Sequence, residues 1–125
     1  MIYTGTDFKK IIQHPNLPED FIDEYFYRLR PFGLEQTQHL SKYLIDKYQN
    51  ALNWILLSKH QVLTEQQIEQ HYKYVNWRYI SLYQKLSPEF IRKWSNYLLF
   101  ESLKYNAKIP PEILHLTQKY FEKND

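Results

Sequence analysis

The sequence predicts an all-α fold of about ten short helices, paired as antiparallel hairpins and stacked as a small α-solenoid. Three observations carry this. An internal repeat with a step of 23 residues runs along the chain. The apolar residues inside each repeat fall at helical spacings and never alternate. The composition, with only 2 Gly but 18% aromatic residues, suits helices packed through long side chains better than a turn-rich β fold.

The repeat is read from columns. Leu17, Leu40, Leu63, Leu86 and Ile109 mark position 0 of successive repeats. Five residues on stand Ile22, Ile45, Ile68, Ile91 and Leu114; twelve on stand Leu29, Leu52, Val75, Leu98 and Phe121. Leu34, Leu57, Ile80 and Leu103 share position 17, and Gln38, Gln61 and Gln84 share position 21, followed there by Ala107. So many columns in one phase define a repeat protein. Within each repeat the apolar residues form two helical sets, so each holds a helix A (positions 1 to about 11) and a helix B (about 13 to 22). Helices of about ten residues, roughly 15 Å long, are marginal alone and need neighbours.

In chain order, residues 1–16 read as a lone helix B, with Asp7 aligned to Asn76 and Phe8 to Trp77, and with Pro15 and Asn16 as its stop. Full repeats begin at 17, 40, 63 and 86, and residues 109–125 form a lone helix A that drops the pattern after Phe121. The whole is one helical-repeat domain, 1–125, with half units closing its ends. Ser41, Thr64 and Ser87 stand where helix A needs an N-cap acceptor, and Pro88 and Pro111 follow at the first helical position. Thr64 and Gln67 have capping-box spacing. Asp20, Glu89 and Glu112 occupy first turns, where the helix dipole favours an acid. Asn53 and Asn76 cap helix B before Trp54 and Trp77, and Pro31 takes the Trp position in the first repeat. Leu99 replaces the Asn cap in the fourth, so helices A and B are expected to merge or shift there.

The phrase NWRYISLYQKLSPEFI (Asn76 to Ile91) and its weaker copy NWILLSKHQVLTEQQI resemble the short helical repeats of uncharacterised bacteriophage and giant-DNA-virus proteins. The likeness is sharpest over residues 40–94, and the first repeat departs from it at Arg30, Pro31, Phe32 and Gly33. It implies a helical repeat fold and a viral origin. It attaches no catalytic residue to the pattern.

Composition limits the function. Cysteine is absent, which removes disulfides, thiolate metal sites and a Cys nucleophile, and fits a reducing cytoplasm, the host's if the protein is viral. No secretory leader and no membrane span are legible, so no membrane partner is expected. His14, His39, His60, His71 and His115 lack zinc-hydrolase spacing and read as surface or helix-end residues. Ser58 and Ser81 recur at position 18 with no base nearby, so they read as small helix-contact residues bonded back to the preceding turn. The glutamines are placed to bond backbone between repeats, and the Trp54 and Trp77 column, with Phe8 and Phe100, to wedge between them. The column of Tyr25, Tyr48, His71 and Trp94 is expected to be partly buried. Glu19, Asp20 and Asp23 read as a solvated acidic face, and two glycines cannot build a phosphate loop. No enzyme, cofactor or metal is expected.

The function-bearing surplus lies between His71 and Lys108, where seven bases face two acids, a local net of +5. Tyrosines beyond the core columns crowd the same span. Tyr74, Arg78, Tyr79, Tyr83, Lys85, Arg92, Tyr97 and Tyr105 are the candidate partner-binding residues. Tyr with Arg suits a protein interface, so a protein–protein interaction module is expected, in a virus one that binds and inhibits a host defence factor. The alternative is a single-stranded nucleic-acid binder using the same basic, Tyr-rich face.

Overall fold

The computed structural model describes residues 3–122. Among them are eleven α-helices, two 3-10 turns and no strand. None of the helices is long and apolar enough to cross a membrane. The chain divides into two compact units, Met1–Gln61 and Val62–Asp125, and the division falls one residue before the repeat that starts at Leu63.

The first unit holds α1 (Gly5–Ile11), α2 (Glu19–Glu24), α3 (Phe26–Leu29), a 3-10 turn (Arg30–Phe32), α4 (Leu34–Thr37), α5 (Lys42–Lys47) and α6 (Trp54–His60). The second holds α7 (Glu65–Gln70), α8 (Trp77–Tyr83), α9 (Pro88–Lys93), α10 (Phe100–Leu103), α11 (Pro111–Thr117) and a closing 3-10 turn (Gln118–Phe121). Helix A therefore starts at 19, 42, 65, 88 and 111, keeping the 23-residue step. The N-caps are those the sequence predicts: Ser41, Thr64 and Ser87 accept from Leu44, Gln67 and Phe90 N–H, and Asn53 and Asn76 cap α6 and α8. The apolar columns at positions 0, 5, 12 and 17 are buried, save at the chain's two ends. Each such Leu or Ile contributes about 1.5–3 kcal/mol, which holds together helices too short to stand alone.

Several sequence expectations need correcting. Helix A ends at position 7, not 11. Tyr25, Tyr48, His71 and Trp94 follow it with φ near −110° to −106° and ψ near 19° to 30°. That bridge-region conformation stops the helix. The carbonyl of each then accepts two N–H groups, three and four residues on, at 2.9–3.1 Å. This repeated turn, not a longer helix, carries position 12 into the core. His71 in this column is 2% exposed, so it is a core residue and not the surface histidine expected; His14, His39, His60 and His115 are exposed.

In the first repeat, Pro31 opens a 3-10 turn and not helix B. Gly33, at φ 94°, ends that turn, a conformation only glycine adopts without strain, and α4 begins after it. At the N-terminus, α1 starts three residues before the aligned position. Thr4 and Asp7 form a reciprocal capping box, with Thr4 N–H donating to Asp7 at 2.8 Å and Asp7 N–H to Thr4 Oγ1 at 3.2 Å. In the fourth repeat the helices do not merge. Leu99 gives α10 no side-chain cap, yet the helix starts at the same position as α6 and α8 and stops early, at Leu103.

Candidate functional site

Polar side chains in this fold are mostly committed to joining one repeat to the next. Gln38 Oε1 accepts from Leu17 N–H at 3.1 Å, while its Nε2 donates to the carbonyls of Ile12 (3.1 Å) and His14 (2.5 Å). Gln61 does the same with Leu40 N–H at 2.9 Å and the carbonyls of Glu35 (3.0 Å) and Gln38 (2.7 Å). In the second unit Gln84 accepts from Leu63 N–H at 3.0 Å. Where the pattern has Ala107, the amide comes from Asn106, one residue earlier, whose Nδ2 donates to Ser81 and Gln84 carbonyls, both at 2.8 Å. The shorter side chain one position upstream reaches the same kind of target.

Position 18 is a second junction. Ser58 and Ser81 donate to the carbonyls of Trp54 and Trp77 at 2.6 and 2.7 Å, as their spacing suggests. Ser81 Oγ also accepts from Leu99 N–H at 3.0 Å. Glu35 stands in this column in the first repeat and was not singled out by the sequence. It is 3% exposed, takes Arg30 Nε and Nη2 at 3.3 and 3.1 Å, and accepts Asn53 N–H at 2.8 Å. Its alignment with the two serines was the available signal.

Four acids on helix A, Glu19, Asp23, Glu65 and Glu69, form a third junction, which corrects the reading of Glu19 and Asp23 as a solvated face; Asp20 is exposed as expected. Asp23 accepts from Lys47 Nζ (2.8 Å), Tyr48 OH (2.5 Å) and Tyr43 OH (2.9 Å). The Lys47 and Tyr48 hydrogen bonds hold its carboxyl down at about 2. Glu69 takes Trp94 Nε1 at 2.9 Å and Lys93 Nζ at 3.1 Å, and the Trp94 bond, then Lys93, lowers its pKa. Glu65 receives both the N–H (2.5 Å) and the hydroxyl (3.0 Å) of Ser87, and Glu19 receives the Ser41 hydroxyl. No group of three His, Asp or Glu among the described residues is placed to hold a metal ion.

The eight candidate partner residues all lie in the second unit, and three of them line three separate grooves. Arg78 lines a groove of about 760 Å³ with Leu99, Phe100, Tyr120 and Phe121, and with Glu101 and Glu122 at its edge. Lys85 lines another of about 500 Å³, and Arg92 a third of about 280 Å³ beside Glu65, Glu69 and Glu89. Tyr79 and Tyr83 are in ring contact at 5.8 Å. Tyr97 closes an aromatic cluster against Trp77 and Trp94, each at 5.2 Å, and against Tyr72 at 6.0 Å. Tyr74, Tyr83, Tyr97 and Tyr105 are between 39% and 79% exposed. The eight residues do not converge on one cavity. Val62 and Lys108, exposed in the same unit, were not among the candidates; position 22, which they share with Lys85, was their signal.

These features define a helical protein whose 23-residue repeat spends its buried polar groups on internal junctions and leaves tyrosines and bases outside. No family model, curated protein or solved structure matches the chain.

Proposed function

We propose that this chain is a non-enzymatic protein–protein interaction module, its repeats stacked as a small α-solenoid and its partner held through the second unit. One observation carries the reading: four large tyrosines, Tyr74, Tyr83, Tyr97 and Tyr105, stand exposed on a frame whose buried side-chain polar atoms, among the described residues, all have partners. Tyrosine brings contact area at a small entropic cost, and a fixed backbone lowers that cost further. The likeness to phage and giant-virus repeats makes a host factor, such as a defence component, the proposed partner, bound and blocked in the host cytoplasm.

Affinity capture from host lysate, with and without nuclease, tests this. The chain retains a protein partner after nuclease, while Tyr83→Ala with Tyr105→Ala, or Arg78→Ala, loses it without lowering the melting temperature. Capture unchanged by all three substitutions refutes the choice of surface. Captured material that disappears with nuclease would instead favour the single-stranded nucleic-acid reading.

A further inference from the structure

The loops that open helix A form a groove across three successive repeats of the second unit. Its floor and walls are apolar: Leu63, Leu86, Pro88, Pro110 and Ile113. Position 22 of each repeat lies along it, as Val62, Lys85 and Lys108, all exposed, with Val62 at 72%. Neither lysine ammonium has a hydrogen-bond or ion-pair partner among the described residues. The one acid at the groove, Glu65, is turned onto Ser87 and spends both oxygens there. The groove is thus greasy below and basic at its rim, with its own acid already used.

The first unit supplies an internal comparison. The equivalent niche, between residues 15–22 and 38–44, is about 150 Å³ against about 500 Å³ here, and His39 stands where the larger groove has lysine. Of these two gaps, the one in the second unit is the wider and carries two lysines.

We propose that this groove binds an extended acidic peptide segment of a partner protein, with an apolar side chain on the floor and carboxylates on Lys85 and Lys108. The proposal rests on the protein-binding reading and names the partner's chemistry. Spacing argues for an extended chain. Helices packed side by side lie roughly 8–10 Å apart. An extended chain in the polyproline-II form has three residues per turn and rises about 3.1 Å per residue, so carboxylates three residues apart share one face and match lysines one repeat apart. Nucleic acid fits worse, because no aromatic ring lines the floor for a base to stack on.

The test is selection of random dodecapeptides by display on the full chain, followed by fluorescence anisotropy with the labelled winners. Enrichment of Asp or Glu about three residues apart beside a Leu, Ile or Phe is expected. Lys85→Glu with Lys108→Glu should weaken those peptides at least roughly tenfold, since like charges then face each other. Ile113→Asp should do the same while leaving the helical circular dichroism intact. Winners without acidic excess, or winners indifferent to both changes, overturn the proposal. So does self-association of the chain that the double reversal abolishes, because a second copy then fills the groove. If the double reversal spares whole-partner capture while the Tyr83 and Tyr105 pair abolishes it, this groove is wrong and the interaction module stands. If nothing proteinaceous is captured at all, the underlying reading fails with it.

Discussion

Gln38 offers the sharpest test of how the repeats are joined. Its side chain is buried and satisfies three backbone groups at once: Leu17 N–H at 3.1 Å and the Ile12 and His14 carbonyls at 3.1 and 2.5 Å. Gln38→Met keeps the length and apolar stem but removes every bond. A buried backbone group left without a partner costs about 1–3 kcal/mol. The Ile12 carbonyl bond is buried, whereas the other two are part-buried and regain some water. The expected loss is therefore about 3 kcal/mol, near the low end of three full penalties. That is a large fraction of the roughly 5–15 kcal/mol that stabilises an ordinary domain. Urea unfolding followed by circular dichroism at 222 nm reads it directly. Gln36→Met, two residues away and exposed, is the control and should stay within about 0.5 kcal/mol. A Gln38→Met loss under about 1 kcal/mol would refute the view that side-chain amides fix the junction, because water or backbone shifts would then replace them freely.

Other outcomes follow from the same geometry. Asp23, with a carboxyl held at about 2 against an unfolded value of about 3.9, stabilises the fold above that unfolded value and loses this as pH falls through the folded one. The difference in melting temperature between wild type and Asp23→Asn should therefore shrink steadily from about pH 4 to pH 2, and a pH-independent difference would refute the Lys47 and Tyr48 bonds as its cause. Glu35→Ala should cost about 1–2 kcal/mol by chemical denaturation, since it takes an acceptor from the part-buried Arg30 guanidinium and Asn53 N–H, both within reach of water; a neutral result would mean water replaces the carboxylate fully. Leu99→Asn restores a helix cap that Asn53 and Asn76 supply elsewhere and should add about 1 kcal/mol, raising the denaturation midpoint.

The regular part of the fold was legible because it rests on local and periodic chemistry. Caps such as Ser41, Thr64 and Ser87 act over three residues, and buried columns such as Ile22, Ile45, Ile68 and Ile91 repeat at one step. The illegible part depends on partners about one repeat away. Asp23 looked like a solvated acid because Lys47 and Tyr48 lie 24 and 25 residues on. The turn after helix A hid behind apolar spacing, since positions 5 and 12 sit two helical turns apart whether or not the helix continues. Asn106 escaped notice because a shorter amide moved one residue to make equivalent bonds. The tyrosines were found as an excess, but composition could not say that Tyr97 would pack against Trp77 and Trp94 while Tyr105 stood clear.

Positions 21 and 22 set a buried junction residue and an exposed, variable one on either side of a single peptide bond. Gln38, Gln61 and Gln84 at position 21 turn inward and accept the N–H that opens their own repeat, and Gln38 and Gln61 also donate to carbonyls of the stretch before it, so exchanging any of them strands backbone groups. The next residue has no such duty. His39, Val62, Lys85 and Lys108 all stand exposed, so the column drifts from imidazole to aliphatic to ammonium without disturbing the helices on either side. Freedom to drift is not itself a function. The proposed function uses a directional drift: two charges of one sign without a partner among the described residues, one repeat apart, beside an apolar groove about three times the volume of its counterpart in the first unit. Solvation alone would be served as well by mixed charges as by Lys85 and Lys108. A matched pair over a widened apolar floor favours one sign of ligand, and that asymmetry separates the proposed peptide groove from the merely exposed surface around it.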